Sequence, residues 1–131
     1  MAFFIHSTDD GRVLPYEYLP AGAITPKIGM ALKMSSGVLA LCTGTSKPEY
    51  ISMEDHSAAL TSGTLLAVVK VQPDVVFETV FSASATDVLP GDAVTIASDA
   101  LRVTSTESSG VATVVSKAGS ASGDKVRVRF L

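Results

Sequence analysis

Two stretches of this sequence carry the same residue pattern 62 positions apart. Gly29-Met-Ala-Leu-Lys-Met-Ser-Ser-Gly-Val-Leu-Ala-Leu41 lies over Gly91-Asp-Ala-Val-Thr-Ile-Ala-Ser-Asp-Ala-Leu-Arg-Val103. Gly29 meets Gly91, Ala31 meets Ala93, Leu32 meets Val94, Met34 meets Ile96, Leu39 meets Leu101 and Leu41 meets Val103. In each copy Ser-Gly or Ser-Asp separates two alternating runs, as a tight hairpin turn requires. A second match, at an offset of 60, sets Thr61-Ser-Gly-Thr and then Leu65, Ala67 and Val69 over Ala121-Ser-Gly-Asp and then Lys125, Arg127 and Arg129. Tyr50 to Met53 corresponds loosely to Val111 to Val114. A unit of turn, hairpin, strand, turn and strand, used twice, restricts the chain to an all-β fold. Neither half is long enough to bury an adequate core alone, so the two must share one domain.

Periodicity agrees with this reading. Val126, Val128 and Phe130 alternate with Arg127 and Arg129, the signature of a half-buried strand. Leu65 to Val71 and Val75 to Phe81 are β-branched or aromatic runs parted by Gln72-Pro73-Asp74. Turn signals recur about every 8–12 residues, the spacing of a sandwich or barrel. One segment, Met53 to Leu60, can hold a short helix, with Ser52 as N-cap and Asp55 three residues on.

The first 25 residues stand apart. They hold Phe3, Phe4, Tyr16 and Tyr18, half of the eight aromatics, together with Pro15 and Pro20. Prolines suppress regular pairing. Residues 1–25 are therefore expected to form an extended N-terminal arm. Residues 26–131 are expected to form a single β domain with pseudo-repeats at about 26–71 and 88–131. Such an arm lies on the surface of a partner or covers a sheet of its own domain. As partner-binding anchors it offers Phe3, Phe4, Ile5, Tyr16 and Tyr18.

Composition excludes several functions. With 47% hydrophobic residues the chain is not disordered, and with 6% aromatics and no Trp its core is aliphatic. The formal charge of −3 argues against nucleic acid as a partner. The one basic cluster is Lys117, Lys125, Arg127 and Arg129, two of which read as the outer face of a strand. The opening MAFFIHSTDDGR turns acidic too soon for a signal peptide, and no apolar run approaches the roughly 20 residues of a membrane span. The expectation is synthesis in the cytoplasm and no membrane partner.

No catalytic, cofactor or metal site stands out, and none is assigned. His6 with Asp9 and Asp10, and Glu54 with Asp55 and His56, are the only clusters of ligand type, and both read as turn or helix-start chemistry. Cys42 lies in an apolar alternation and reads as a small buried hydrophobe. No nucleophile elbow and no phosphate-binding loop occur. Ala31-Leu-Lys-Met34 resembles the lysine hairpin of biotin and lipoyl carrier domains. In such carriers the lysine sits at the turn, whereas here Ser35-Ser36-Gly37 is the better turn and places Lys33 within a strand.

Three stretches of the second half resemble the small capsid decoration, or cement, proteins of tailed bacteriophages. They are Leu-Pro-Gly-Asp-Ala-Val (Leu89 to Val94), Gly-Val-Ala-Thr-Val-Val (Gly110 to Val115) and Gly-Asp-Lys-Val-Arg-Val-Arg-Phe (Gly123 to Phe130). Ala21 to Leu41 and Gly63 to Val71 follow the same design more loosely. The resemblance implies a small β-barrel or β-tulip-like sandwich with an extended arm. It also implies a homotrimer on the capsid exterior that bridges major capsid proteins. It carries no residue-specific motif, so no binding residue is transferred from it. A phage tail or fibre module, or a carbohydrate-binding β module, is the alternative.

Overall fold

The structure, a computed structural model, describes residues 2–131. Its regular elements are β1 (Phe4–Ser7), β2 (Glu17–Ala21), β3 (Ala31–Ser35), β4 (Val38–Leu41), β5 (Tyr50–Ser52), β6 (Thr64–Lys70), β7 (Val76–Val80), β8 (Ala93–Val94), β9 (Ala112–Lys117) and β10 (Lys125–Arg129). Five of them form a closed barrel in the order β2-β4-β3-β5-β6. The ring is shut by a parallel pairing of Ala21 with Leu39. The other five form a sheet in the order β1-β7-β10-β9-β8.

The second sheet repeats four strands of the first: β7, β8, β9 and β10 stand where β2, β3, β5 and β6 do, while β1 has no counterpart. Ala31 pairs with Ile51, and 62 residues on Ala93 pairs with Thr113. Tyr18 pairs with Ala67, and 60 residues on Glu78 pairs with Arg127. The ring closure recurs as isolated bridges: Val103 meets Phe81 in parallel and Ile96 antiparallel, as Leu39 meets Ala21 and Met34. Backbone bonds outside the ladders recur too. Gly63 N–H donates to Ala21 and Gly123 N–H to Phe81; Gly29 N–H donates to Ser52 and Gly91 N–H to Val114. The chain thus repeats one half-fold, here called a ring: the first copy is a closed barrel, and the second is a sheet whose seam is spanned only by the isolated bridges at Val103.

Two details depart from the sequence register. In the first hairpin Ser36 and Gly37 have φ of 51° and 82°, the type I′ geometry of a two-residue loop. In the second, Ile96 faces Val103 and Ala100 takes φ of 59°, which makes the loop two residues longer. The counterpart of Leu39 is therefore Val103, not Leu101.

Of the extended arm expected over residues 1–25, the described residues 2–25 pack into the body of the fold. Phe3 is fully buried and meets the Phe130 ring edge-on, with centroids 5.4 Å apart. Phe77 lies 5.6 Å from the same ring. β1 is bonded to β7, and β2 is a full strand of the first barrel, paired with β6 from Glu17 to Ala21. The repeat therefore begins at β2, whose counterpart is Phe77 to Phe81. Apolar burial explains the difference: Phe3 and Leu14 join a core cluster that runs through both halves.

The short helix expected over Met53 to Leu60 does not form. Its backbone finds partners on its neighbours instead: Met53 N–H donates to Ala67, His56 to Pro26 and Leu60 to Ile24. Ser52 Oγ accepts from Glu54 N–H at 3.3 Å, turning the chain rather than capping a helix.

Gly29 positions the N-terminal strand. It has φ of +83°, and a Cβ there would stand 2.5 Å from Ala2 Cβ and 2.9 Å from Phe3 N. Gly91, its counterpart, has φ of +96° but open space around it. Alanine at Gly91 meets only backbone strain, on the order of 1–2 kcal/mol. Alanine at Gly29 adds the clash that pushes Ala2 and Phe3 away. Hydrogen exchange should show β1 amides losing protection in Gly29→Ala and keeping it in Gly91→Ala.

Candidate functional site

The titratable residues form separate local arrangements. Arg12 donates to both carboxylate oxygens of Asp74, to Gln72 at 2.7 Å and to Asp10 at 2.9 Å. This fork ties the loop after β1 to the β6–β7 turn. The Arg12 guanidinium holds the Asp74 carboxyl down at about 2. A carboxyl whose value falls on folding adds stability above its unfolded value and loses it as pH drops through the folded one. The tether should therefore weaken as pH falls from about 4 towards 2. Protection of the 8–14 amides across that window checks this, and Arg12→Ala should abolish the dependence.

Glu54 accepts the Ala67 N–H at 2.6 Å and lies 3.0 Å from His56 Nε2. The Ala67 amide foremost, then His56, holds the Glu54 carboxyl below its usual range. His6 Nδ1 lies 3.2 Å from Ser7 Oγ. Among the described residues no three His, Cys, Asp or Glu side chains converge as a metal site would need.

Cys42 is buried, its thiol donating to the Ser46 carbonyl at 3.1 Å, and burial pushes it up to about 11. A thiol in that state is a poor nucleophile. Lys33 stands inside β3 opposite Ala40, its ammonium donating to Ser46 Oγ at 3.1 Å, while the turn falls at Ser36 and Gly37. That placement does not offer a hairpin-tip lysine for a carrier group.

The basic cluster is partly neutralised. Glu78 accepts from Arg127 Nε at 3.1 Å and lies 3.8 Å from Lys125 Nζ. Lys117 donates to the Ala85 carbonyl and to Ser120 Oγ at 2.8 Å, and the Nε of Arg129 is closed off from solvent. Glu78, Lys117, Lys125 and Arg127 border an open groove of about 420 Å³ on the outer face of the second ring.

The five aromatic and aliphatic anchors part company. Phe3 belongs to the core and is withdrawn from any contact surface. Phe4 and Ile5 are exposed on β1, whose four residues all face solvent. Tyr16 and Tyr18 are exposed at the start of β2, Tyr18 to 63%. The structure adds three residues to the candidate contact surface: Val13, 91% exposed, in the loop after β1; Leu65, 60% exposed; and Pro20, which pairs with Leu65. Tyr18, Pro20 and Leu65 lie together on the outer face of the first ring. The repeat could have revealed Leu65, because its counterpart, Lys125, is charged.

Comparison with protein-family models, curated proteins and solved structures finds no match to this chain.

Proposed function

We propose that the chain is a structural adhesion protein that decorates the outer surface of an assembled bacteriophage head, where it binds major capsid proteins and stabilises the contacts between them. The observation that carries this reading is β1. It is held to the body on one edge only, is exposed along its length, and presents Phe4 and Ile5 beside a loop carrying Val13 and Tyr16. A free strand edge with apolar side chains is suited to main-chain pairing with another protein. A doubled β framework fits a mechanical task. In this reading the protein sits on the capsid exterior as a homotrimer, and symmetry multiplies individually weak contacts.

The test is co-sedimentation of the purified protein with assembled heads of the phage that encodes it. Binding should saturate at a fixed ratio to the major capsid protein and raise the temperature at which heads rupture. Ile5→Ser with Tyr16→Ser should weaken binding about tenfold or more while the protein's own melting temperature holds. Heads that neither bind the protein nor gain stability overturn the proposal, and recovery on tails alone favours a tail or fibre module.

A further inference from the structure

The two rings are built on equivalent positions, so each is a control for the other. On the outer face of the second ring the paired strands β7 and β10 present Glu78, Lys125 and Arg127. The equivalent positions of the first ring are Tyr18, Leu65 and Ala67. The fold therefore accepts charge at these sites, and an exposed Tyr18 and Leu65 are not demanded by packing. The rims differ in the opposite sense. Beside Ala67 the first ring carries Glu54 and the exposed Asp55, held there by the Met53–Ala67 and Glu54–Ala67 bonds. At the position equivalent to Asp55 the second ring carries Lys117.

We infer that the chain self-associates head to tail, the outer face of the first ring on one copy seating against the outer face of the second ring on another. The first face is apolar and aromatic with two carboxylates at its rim. The second holds three cations against the single carboxylate of Glu78. Lys125 is 71% exposed and lies 3.8 Å from Glu78, so it is free to turn towards a partner. Its stem and that of Arg127 offer apolar length to Leu65 while their cations meet the Tyr18 ring and the rim carboxylates. Two copies joined this way leave one face of each kind open, so the contact propagates until a ring closes. This inference rests on the proposed homotrimer for its closure and supplies the contact within it, but it is read on the isolated protein, so its failure and a failure to bind heads are separate results.

Sedimentation velocity on the full chain tests it. The wild type should form a species larger than two copies at low salt, and added salt should dissociate it. Tyr18→Glu with Leu65→Lys gives the first face the side chains that the second already carries. Lys125→Ala with Arg127→Ala strips the second face. Each variant alone should associate about tenfold or more weakly than wild type, with its melting temperature retained. Mixed together, the two variants should form a one-to-one pair and nothing larger, because each supplies the face the other lacks. Should the first variant fail to fold, Leu65→Ser replaces it. A wild type no larger than two copies overturns the inference. So does a variant that assembles as wild type, or a mixture that fails to pair.

Discussion

A chain lacking residues 1–20 is expected to lose its cooperative thermal transition altogether. The deletion removes Phe3 and Leu14 from the core, all of β1, and four of the five residues of β2. Ala21 alone is left of β2, and without the pairing of Glu17 to Pro20 with β6 it has no strand to hold it against Leu39, so the first barrel cannot shut. The loss can be graded. Phe3→Ala alone should cost about 3–5 kcal/mol, since it empties the space against Phe130. That is a large part of the roughly 5–15 kcal/mol that holds a domain together. Near-ultraviolet circular dichroism and calorimetry check both. A truncated chain that still melted cooperatively within a few degrees of wild type would return the segment to the role of an arm.

Gly110→Ala is expected to be the most damaging single-methyl change in the molecule. A Cβ at Gly110 would stand 2.1 Å from the Ala93 carbonyl oxygen, 2.3 Å from its carbon and 2.6 Å from Val94 N. All three are backbone atoms of β8, the short strand paired with β9. They cannot turn aside as a side chain would. Relief requires β8 to move, which also strains the Val111 N–H bond to Val94. A loss of about 3 kcal/mol or more follows, a fall in melting temperature on the order of 10 °C. Gly91→Ala, with open space around its Cβ, is the comparison.

The doubling of the fold was legible because its turns demand particular residues. Gly29 and Gly91 both adopt positive φ, as do Gly63 and Gly123, and a turn of that kind preserves its glycine while the strands beside it drift. The same logic explains what was hidden. Glu17-Tyr-Leu-Pro-Ala and Phe77-Glu-Thr-Val-Phe occupy equivalent places in the two rings and share no residue. Ala21 and Phe81 are both fully buried at one seam position although their volumes differ greatly. Core positions tolerate such exchange when neighbours compensate. Proline and exposed tyrosines then made β2 look like an arm, since nothing local in the sequence revealed its partners Leu66 and Val68. The alternation of β10 is plain in the sequence because one face is core and the other solvent: Val126, Val128 and Phe130 are buried. The Tyr18–Leu65 surface is not legible in the sequence because its members meet only across a ladder between strands distant in sequence.

The Phe3–Phe130 contact has a consequence for synthesis. Phe3 leaves the ribosome well ahead of β7 and Phe130, which enclose it. Until then a Phe-Phe-Ile run has no shelter within its own chain. Translation at about 5–20 residues per second keeps it uncovered for several seconds, ample time for chaperone capture or for clumping between neighbouring nascent chains. Slowing translation should therefore lower the yield of native protein, and Phe4→Ser, which reduces the stickiness of that run while sparing the core, should restore part of it.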